Sequence, residues 1–205
     1  MTAAPKASID LTSLIGSRIC HDLISPLGAI GNGVELLAMS GVAAGPEMSL
    51  IAESVENANA RIRFFRIAFG AAAPDAMLGR SEILEVLGGL AKGGRQSIQW
   101  QIEAPLERRL VKLAFLCLQC LESALPWGGR IVVQTAPAAW TLTAEAGKIR
   151  DLDPLWEVFD DRGLPHQLTP ADIQFALAPT WAADIGWVLS RSATPTRLEL
   201  GFRPA

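Results

Sequence analysis

Three cysteines, two histidines and no apolar run of membrane-spanning length limit what this 205-residue chain can be. Cys20, Cys117 and Cys120 are too few for a disulfide framework. Cys117 and Cys120 have C-x-x-C spacing, but they sit inside the apolar run "LVKLAFLCLQCLESAL" with no second pair to complete a zinc site. They read as small core residues suited to a reducing compartment. The opening "MTAAPKASIDLT" has no signal-peptide core, and nothing after it reaches transmembrane length, so the expected location is cytoplasmic, with no membrane partner. The net charge of −3 is close to neutral, and no stretch concentrates Lys and Arg among aromatics in the manner of a nucleic-acid surface. The densest basic cluster, Arg61, Arg63 and Arg66 around Phe64 and Phe65, reads as a solvated helix face. No nucleic acid is expected as a partner. Internal repeats and low-complexity tracts are also missing.

What remains is half hydrophobic and 19% charged, a globular composition long enough for one large domain or two small ones. Residues 8 to 40 read as one long helix, with Gly16, Cys20, Leu23, Leu27, Ile30, Val34 and Leu37 alternating in steps of four and three. "SGVAAGP" breaks it, and Pro46 is placed to start a second helix over 46 to 70. There Met48, Ile51, Val55, Ala58, Ile62, Phe65 and Phe69 form an even cleaner stripe. Two heptad helices joined by a short turn make an antiparallel hairpin, and two helices alone cannot enclose a core. The long stripes favour pairing with a second copy as a dimeric four-helix bundle.

The small-residue stretch "GAAAPDAMLGR" reads as a linker, which gives a hairpin over residues 1–72 and a second unit over 76–205. In the second unit we expect a short helix from Ser81 to Ala91, a strand at 97 to 103 and a strongly apolar helix at 106 to 125. Two strands follow, "GRIVVQT" and "AWTLTAEA", then a helix near 152 to 160. A helical region from 170 to 191, interrupted at Pro179, and a last strand "TRLELGF" close the chain. The fold class is α+β: a helical hairpin followed by an α/β sandwich.

The chemistry gathers in "CHDLISPLGAI", residues 20 to 30. At helical spacing His21, Ser25, Gly28 and Asn32 share a face, roughly opposite Leu23, Leu27 and Ile30. The imidazole then points to solvent above a strip of small or polar side chains that lets another protein come close. Pro26 removes the N–H that would bond the carbonyl of Asp22, at a cost of about 3 kcal/mol in a regular helix, and should bend the helix one turn beyond His21. Asp22 can orient one ring nitrogen or accept its proton, leaving the other nitrogen as nucleophile. Arg18, one turn earlier, can help neutralise an arriving phosphoryl group. A His-Asp metal phosphohydrolase would need several more histidines, and the only other one is His166, in the loop "GLPHQ".

The string resembles the H-box of sensor histidine kinases, His-Glu/Asp-Leu-x-x-Pro-Leu-x-x-Ile, through His21, Asp22, Leu23, Pro26, Leu27 and Ile30. That resemblance implies a dimeric bundle phosphorylated at His21 and a second domain shaped like the kinase ATPase domain. The second domain departs from the kinase pattern. Gln119 and Ser123 stand where the Mg²⁺-binding asparagines would be, and "TAEAGKIRDLDP" offers Glu145 and Gly147 in place of Asp-x-Gly-x-Gly. No Gly-x-Gly lid follows, so the phosphate cradle and metal ligand are missing.

An intact H-box beside a degenerate ATPase-like domain resembles the ChpT-type histidine phosphotransferases of bacterial phosphorelays. Cys20 to Pro26 and Ala124 to Gly129 ("ALPWGG") carry that likeness. It implies that a receiver-domain aspartate of a hybrid kinase phosphorylates His21, which passes the group to a response regulator's receiver. No ATP, cofactor or metal of its own is implied, the Mg²⁺ coming with the receiver. The receiver is expected to dock beside Arg18, Ser25, Gly28 and Asn32. A silent docking module and an active histidine kinase are the alternatives.

Overall fold

The computed structural model describes residues 18–19, 22–23, 25–30, 32–33, 36–37, 45–70, 72–73, 75–91, 95–160 and 168–205. His21, Cys20 and His166, and the turn expected over most of 40–46, lie outside the described residues. Every described residue between 18 and 37 is helical, Pro26 included.

Helix α1, Pro46–Ala68, begins with proline at its first turn, where a missing N–H costs nothing. Glu47 in the first turn and Arg66 in the last complement the helix dipole. Its C-terminal carbonyls are satisfied from a distant element: Lys112 Nζ donates to Gly70 O at 2.9 Å and Arg108 Nη2 to Arg66 O at 3.1 Å. The end of α1 is thereby fastened to the rest of the chain. Gly33 shows how the preceding helical segment lies along α1. A Cβ there would stand 2.5 Å from Ile51 Cγ1 and 3.3 Å from the Glu47 carbonyl, so only glycine permits the approach.

Helix α2 is Arg80–Ala91 and α3 is Arg108–Ala124. α3 is buried along Val111 and Leu113 to Leu121, because it is covered on more than one side. Cys117 and Cys120 are fully buried in it, and burial pushes both thiols well above the ordinary range, as befits inert core residues. Phe64 of α1 stacks on Phe115 of α3 at 4.7 Å, and Phe65, Ile67 and Ala68 join the same core as Leu113 to Leu118.

That core lies against a mixed five-stranded sheet of order β2 (Gln96–Trp100), β4 (Gly129–Ala136), β5 (Ala139–Glu145), β7 (Arg197–Pro204), β6 (Trp187–Ala193). β2 runs parallel to β4, the two joined across α3. β5, β6 and β7 pair antiparallel. Ala136 faces Ala139 across a two-residue turn in which Ala138 takes φ 61. Trp140 pairs with Phe202 in register and stacks on it at 5.1 Å, one of the cross-strand contacts that fix sheet alignment. Two short strands, β1 (Met77–Leu78) and β3 (Leu106–Glu107), pair separately. Helices α4 (Asp153–Phe159) and α5 (Gln174–Asp184) complete the helical layer, Trp156 meeting Phe175 edge-on at 4.8 Å.

Two expectations need correction. The region 170 to 191 is not helical throughout. A 3-10 turn at Pro170–Asp172 leads into α5, which ends at Asp184; Gly186 follows with φ 72, and Trp187–Ala193 is a strand. Pro179 does not interrupt the helix either; α5 runs through it. The missing bond at one position is outweighed by packing of Phe175, Ala178 and Ala182 in the core. Among the described residues, no helix is long and apolar enough to cross a membrane.

Candidate functional site

The helical residues flanking His21 divide into two faces. Ser25, Gly28 and Asn32 are exposed, as their shared spacing predicts, and a Cβ built on Gly28 meets nothing within 4 Å. This strip is uncovered in the single chain. Arg18 and Asp22 turn the other way, toward the α/β domain. Their side chains are only 15% and 9% exposed, which places the charges inside a junction and not on a docking surface.

The junction is built from three separate stretches. Arg18 Nη2 pairs with Asp22 Oδ2 at 2.8 Å, one turn along the helix, while Arg18 Nη1 donates to the Ala171 carbonyl at 2.7 Å. Arg61 of α1 brings a second guanidinium to within 3.9 Å of the same carboxylate oxygen. From α3, Glu122 completes the group. Burial pushes its carboxyl above the ordinary range and the neighbouring Asp22 adds to this, while Arg61 and Arg18 oppose it. These four side chains line a cavity of about 290 Å³ together with Gln96, Ile98, Gln119, Ser123, Leu90 and Ala91.

Arg18, expected on the docking strip, is therefore committed to internal partners, because its guanidinium reaches Asp22 and Ala171. Arg61 and Glu122 were missed as site residues. Arg61 sat in a cluster of three arginines, and Arg63, its neighbour, does pair on the surface with Glu85. The available signal for Glu122 was a carboxylate inside an otherwise apolar helical run.

The positions that would hold nucleotide in a kinase are engaged with one another. Ser123 Oγ donates to Gln119 O at 3.0 Å and accepts from Gln174 Nε2 at 3.0 Å. Glu145, where an adenine-reading aspartate would stand, pairs with Arg197 at 2.9 Å. The cavity beside Ser123 is walled by Arg18, Asp22 and Arg61 and is at the small end of ligand-binding clefts, which begin near about 300 Å³. Among the described residues, no group of three or more His, Cys, Asp or Glu side chains is arranged to hold a metal. The "ALPWGG" motif is structural at its glycines. Gly128 takes φ 97, and a Cβ there would lie 2.7 Å from the Arg95 carbonyl.

A protein phosphotransferase ChpT of Brucella abortus (strain 2308) is 38% identical over 130 residues, 62% of each chain, so the match spans less than two thirds of that relative. A solved structure described as a bacterial phosphotransferase superposes with a TM-score of 0.81 at 28% identity and covers 98% of both chains. Residues 80–197, more than half of the chain, match the family model of the histidine phosphotransferase C-terminal domain. The chain belongs to the histidine phosphotransferase family.

Proposed function

We propose that this chain is a phosphorelay histidine phosphotransferase. It accepts a phosphoryl group from the receiver domain of a hybrid histidine kinase onto His21 and passes it to the receiver of a response regulator. The observation that carries this reading is the combination of the H-box with an open strip at Ser25, Gly28 and Asn32, in a chain of this family. In the first step a neutral ring nitrogen of His21 attacks phosphorus, the P–N bond forms as the aspartyl P–O bond breaks, and the aspartate leaves as a carboxylate. The proton on the imidazole is then shed, and Asp22 helps to set which nitrogen reacts. Transfer onward reverses these bonds on a second receiver. Each receiver brings its own Mg²⁺; the chain contributes no cofactor and uses no ATP.

The working form is a homodimer in the cytoplasm. Residues 1–72 form the antiparallel hairpin of a four-helix bundle, and residues 76–205 form a degenerate ATPase-like domain that buttresses it. The close approach of Gly33 to Ile51, with Asp22 near Arg61, supports the antiparallel arrangement. Met48, Val55 and Ile62, seven residues apart on α1, are 48%, 40% and 47% exposed in the single chain, an apolar seam that a second copy would cover. Pro26 bends the helix beside the docking strip.

The test is transfer of label. A receiver domain phosphorylated with radioactive phosphate should label the protein in an acid-labile, alkali-stable form. ATP alone should leave it unlabelled. Labelling by ATP alone would reinstate the kinase reading, and binding of the receiver without label would make the chain a docking module.

A further inference from the structure

The cavity at the junction has opposite polarity on its two sides. The first helical segment and α1 bring the guanidiniums of Arg18 and Arg61, whereas β2 and α3 bring the amides of Gln96 and Gln119 and the carboxyl of Glu122. Asp22 lies on the guanidinium side, 2.8 Å from Arg18 and 3.9 Å from Arg61. Bonds within the protein leave much of this set unused. Gln119 is 3% exposed, yet its Oε1 has no hydrogen-bond partner among the described residues, and neither has Arg18 Nε. Buried polar groups of this kind are rarely left unpaired. Gln96 donates its Nε2 to the Leu125 carbonyl at 2.9 Å, so its Oε1 is the atom with capacity to accept. Arg61 is 38% exposed and stands 3.9 Å from Asp22, beyond hydrogen-bond reach, so its donors have capacity to spare as well. Ser123 is the contrast, since it both donates to Gln119 O and accepts from Gln174 Nε2.

A ligand for these walls needs an acceptor at one end and a donor at the other. Two guanidiniums and two carboxylates also balance in formal charge, so a molecule without net charge fits better than a simple anion or cation. The volume of about 290 Å³ corresponds to roughly ten water molecules at about 30 Å³ each, enough for a compact polar molecule and too small for a nucleoside triphosphate. We propose that the cavity binds a free α-amino acid, its carboxylate on Arg18 and Arg61 and its ammonium on the amide oxygens of Gln96 and Gln119 and the Glu122 carboxyl. Leu90 and Ile98 leave an apolar wall for its side chain. The two ends of the ligand join the helical segments to the α/β domain.

L-Glutamine and L-serine are the probes, titrated by calorimetry into the full-length protein, with succinate and putrescine as one-ended controls. At least one of the amino acids should bind with a Kd of about 1 mM or below and raise the Tm in step with its concentration. Succinate offers acceptors only and putrescine donors only, and each should bind more weakly by about tenfold or more. Gln119→Leu keeps α3 apolar and removes the unpaired oxygen, and it should weaken amino-acid binding by about tenfold or more. Arg61→Ala should do the same, while Arg63→Ala, whose side chain pairs with Glu85 away from this cavity, should leave the affinity unchanged. Gln96→Leu gives the same comparison should the Gln119 variant lose its native tryptophan fluorescence. Failure of both amino acids to bind at about 10 mM would overturn the proposal and leave these groups to water. Equal binding of succinate or putrescine, or wild-type affinity in Gln119→Leu and Arg61→Ala, would overturn it too. The titration needs no receiver, so its outcome is independent of the relay.

Discussion

Phe64 joins α1 to the core of the α/β domain, and replacing it by alanine tests that union. It is 2% exposed, stacks on Phe115 with ring centroids 4.7 Å apart, and meets Phe65 edge-on at 6.1 Å. Truncating a buried phenylalanine costs about 3–5 kcal/mol, because the cavity it leaves collapses only in part. With a urea dependence of about 2–3 kcal/mol per molar for a chain of this size, the midpoint should fall by about 1–2.5 M. All six tryptophans, from Trp100 to Trp187, lie in the α/β domain, so their fluorescence reports on that domain while Phe64 belongs to α1. Equilibrium unfolding in urea, followed by fluorescence and by far-ultraviolet circular dichroism, makes the measurement. Both signals should shift together in Phe64→Ala. A fluorescence midpoint equal to that of the wild type would refute a core continuous across the two parts of the chain.

Four single positions carry further predictions. Gly128→Ala should lower stability by about 1–3 kcal/mol, since the residue sits at φ 97 with the Arg95 carbonyl 2.7 Å from an added Cβ. Gly147→Ala, with nothing within 4 Å, should change stability little; urea unfolding of both variants makes the comparison. Glu122 is raised in the folded state, so the fold holds its proton more tightly than the unfolded chain does, and stability falls as pH rises from the ordinary carboxylate value of 4.5 through the folded one. Glu122→Gln should remove that part of the decline and show a flatter Tm against pH than the wild type; a steeper decline would reverse the sign of the argument. Gly28→Trp should keep or slightly raise stability, glycine being about 1 kcal/mol worse than alanine in a helix, yet slow transfer. Unchanged transfer in that variant would move the docking face elsewhere.

The reach of sequence reasoning differs sharply between local and assembled features. The H-box is local chemistry, and Ser25, Gly28 and Asn32 share an exposed face at helical spacing, although Leu27, expected on the opposite stripe, is 56% exposed as well. The strands at Gly129–Ala136 and Ala139–Glu145 announce themselves by β-branched and alternating residues. The strand Trp187–Ala193 does not, because "WVLSRSA" carries only a weak alternation and follows α5 without a proline. Its start is set by Gly186 at φ 72 and by pairing with β7, a partner that lies later in the chain. The stripe on α1 was readable as apolar, but not which part serves which neighbour. Ala58 and Phe65 are buried within the chain while Met48, Val55 and Ile62 remain uncovered. The Arg18–Asp22–Arg61–Glu122 junction was the least legible feature, since each residue is unremarkable in its own helix and the group exists only once three stretches meet.

The central claim is that phosphate resides on one nitrogen-bearing side chain. After reaction with a phosphorylated receiver domain, fragmentation mass spectrometry at alkaline pH can place the phosphoryl group on one of the two histidines, His21 or His166. The account predicts phosphate on His21 in the wild type and none in a folded His21→Ala variant. Phosphate on His166, or label surviving in His21→Ala, would contradict it.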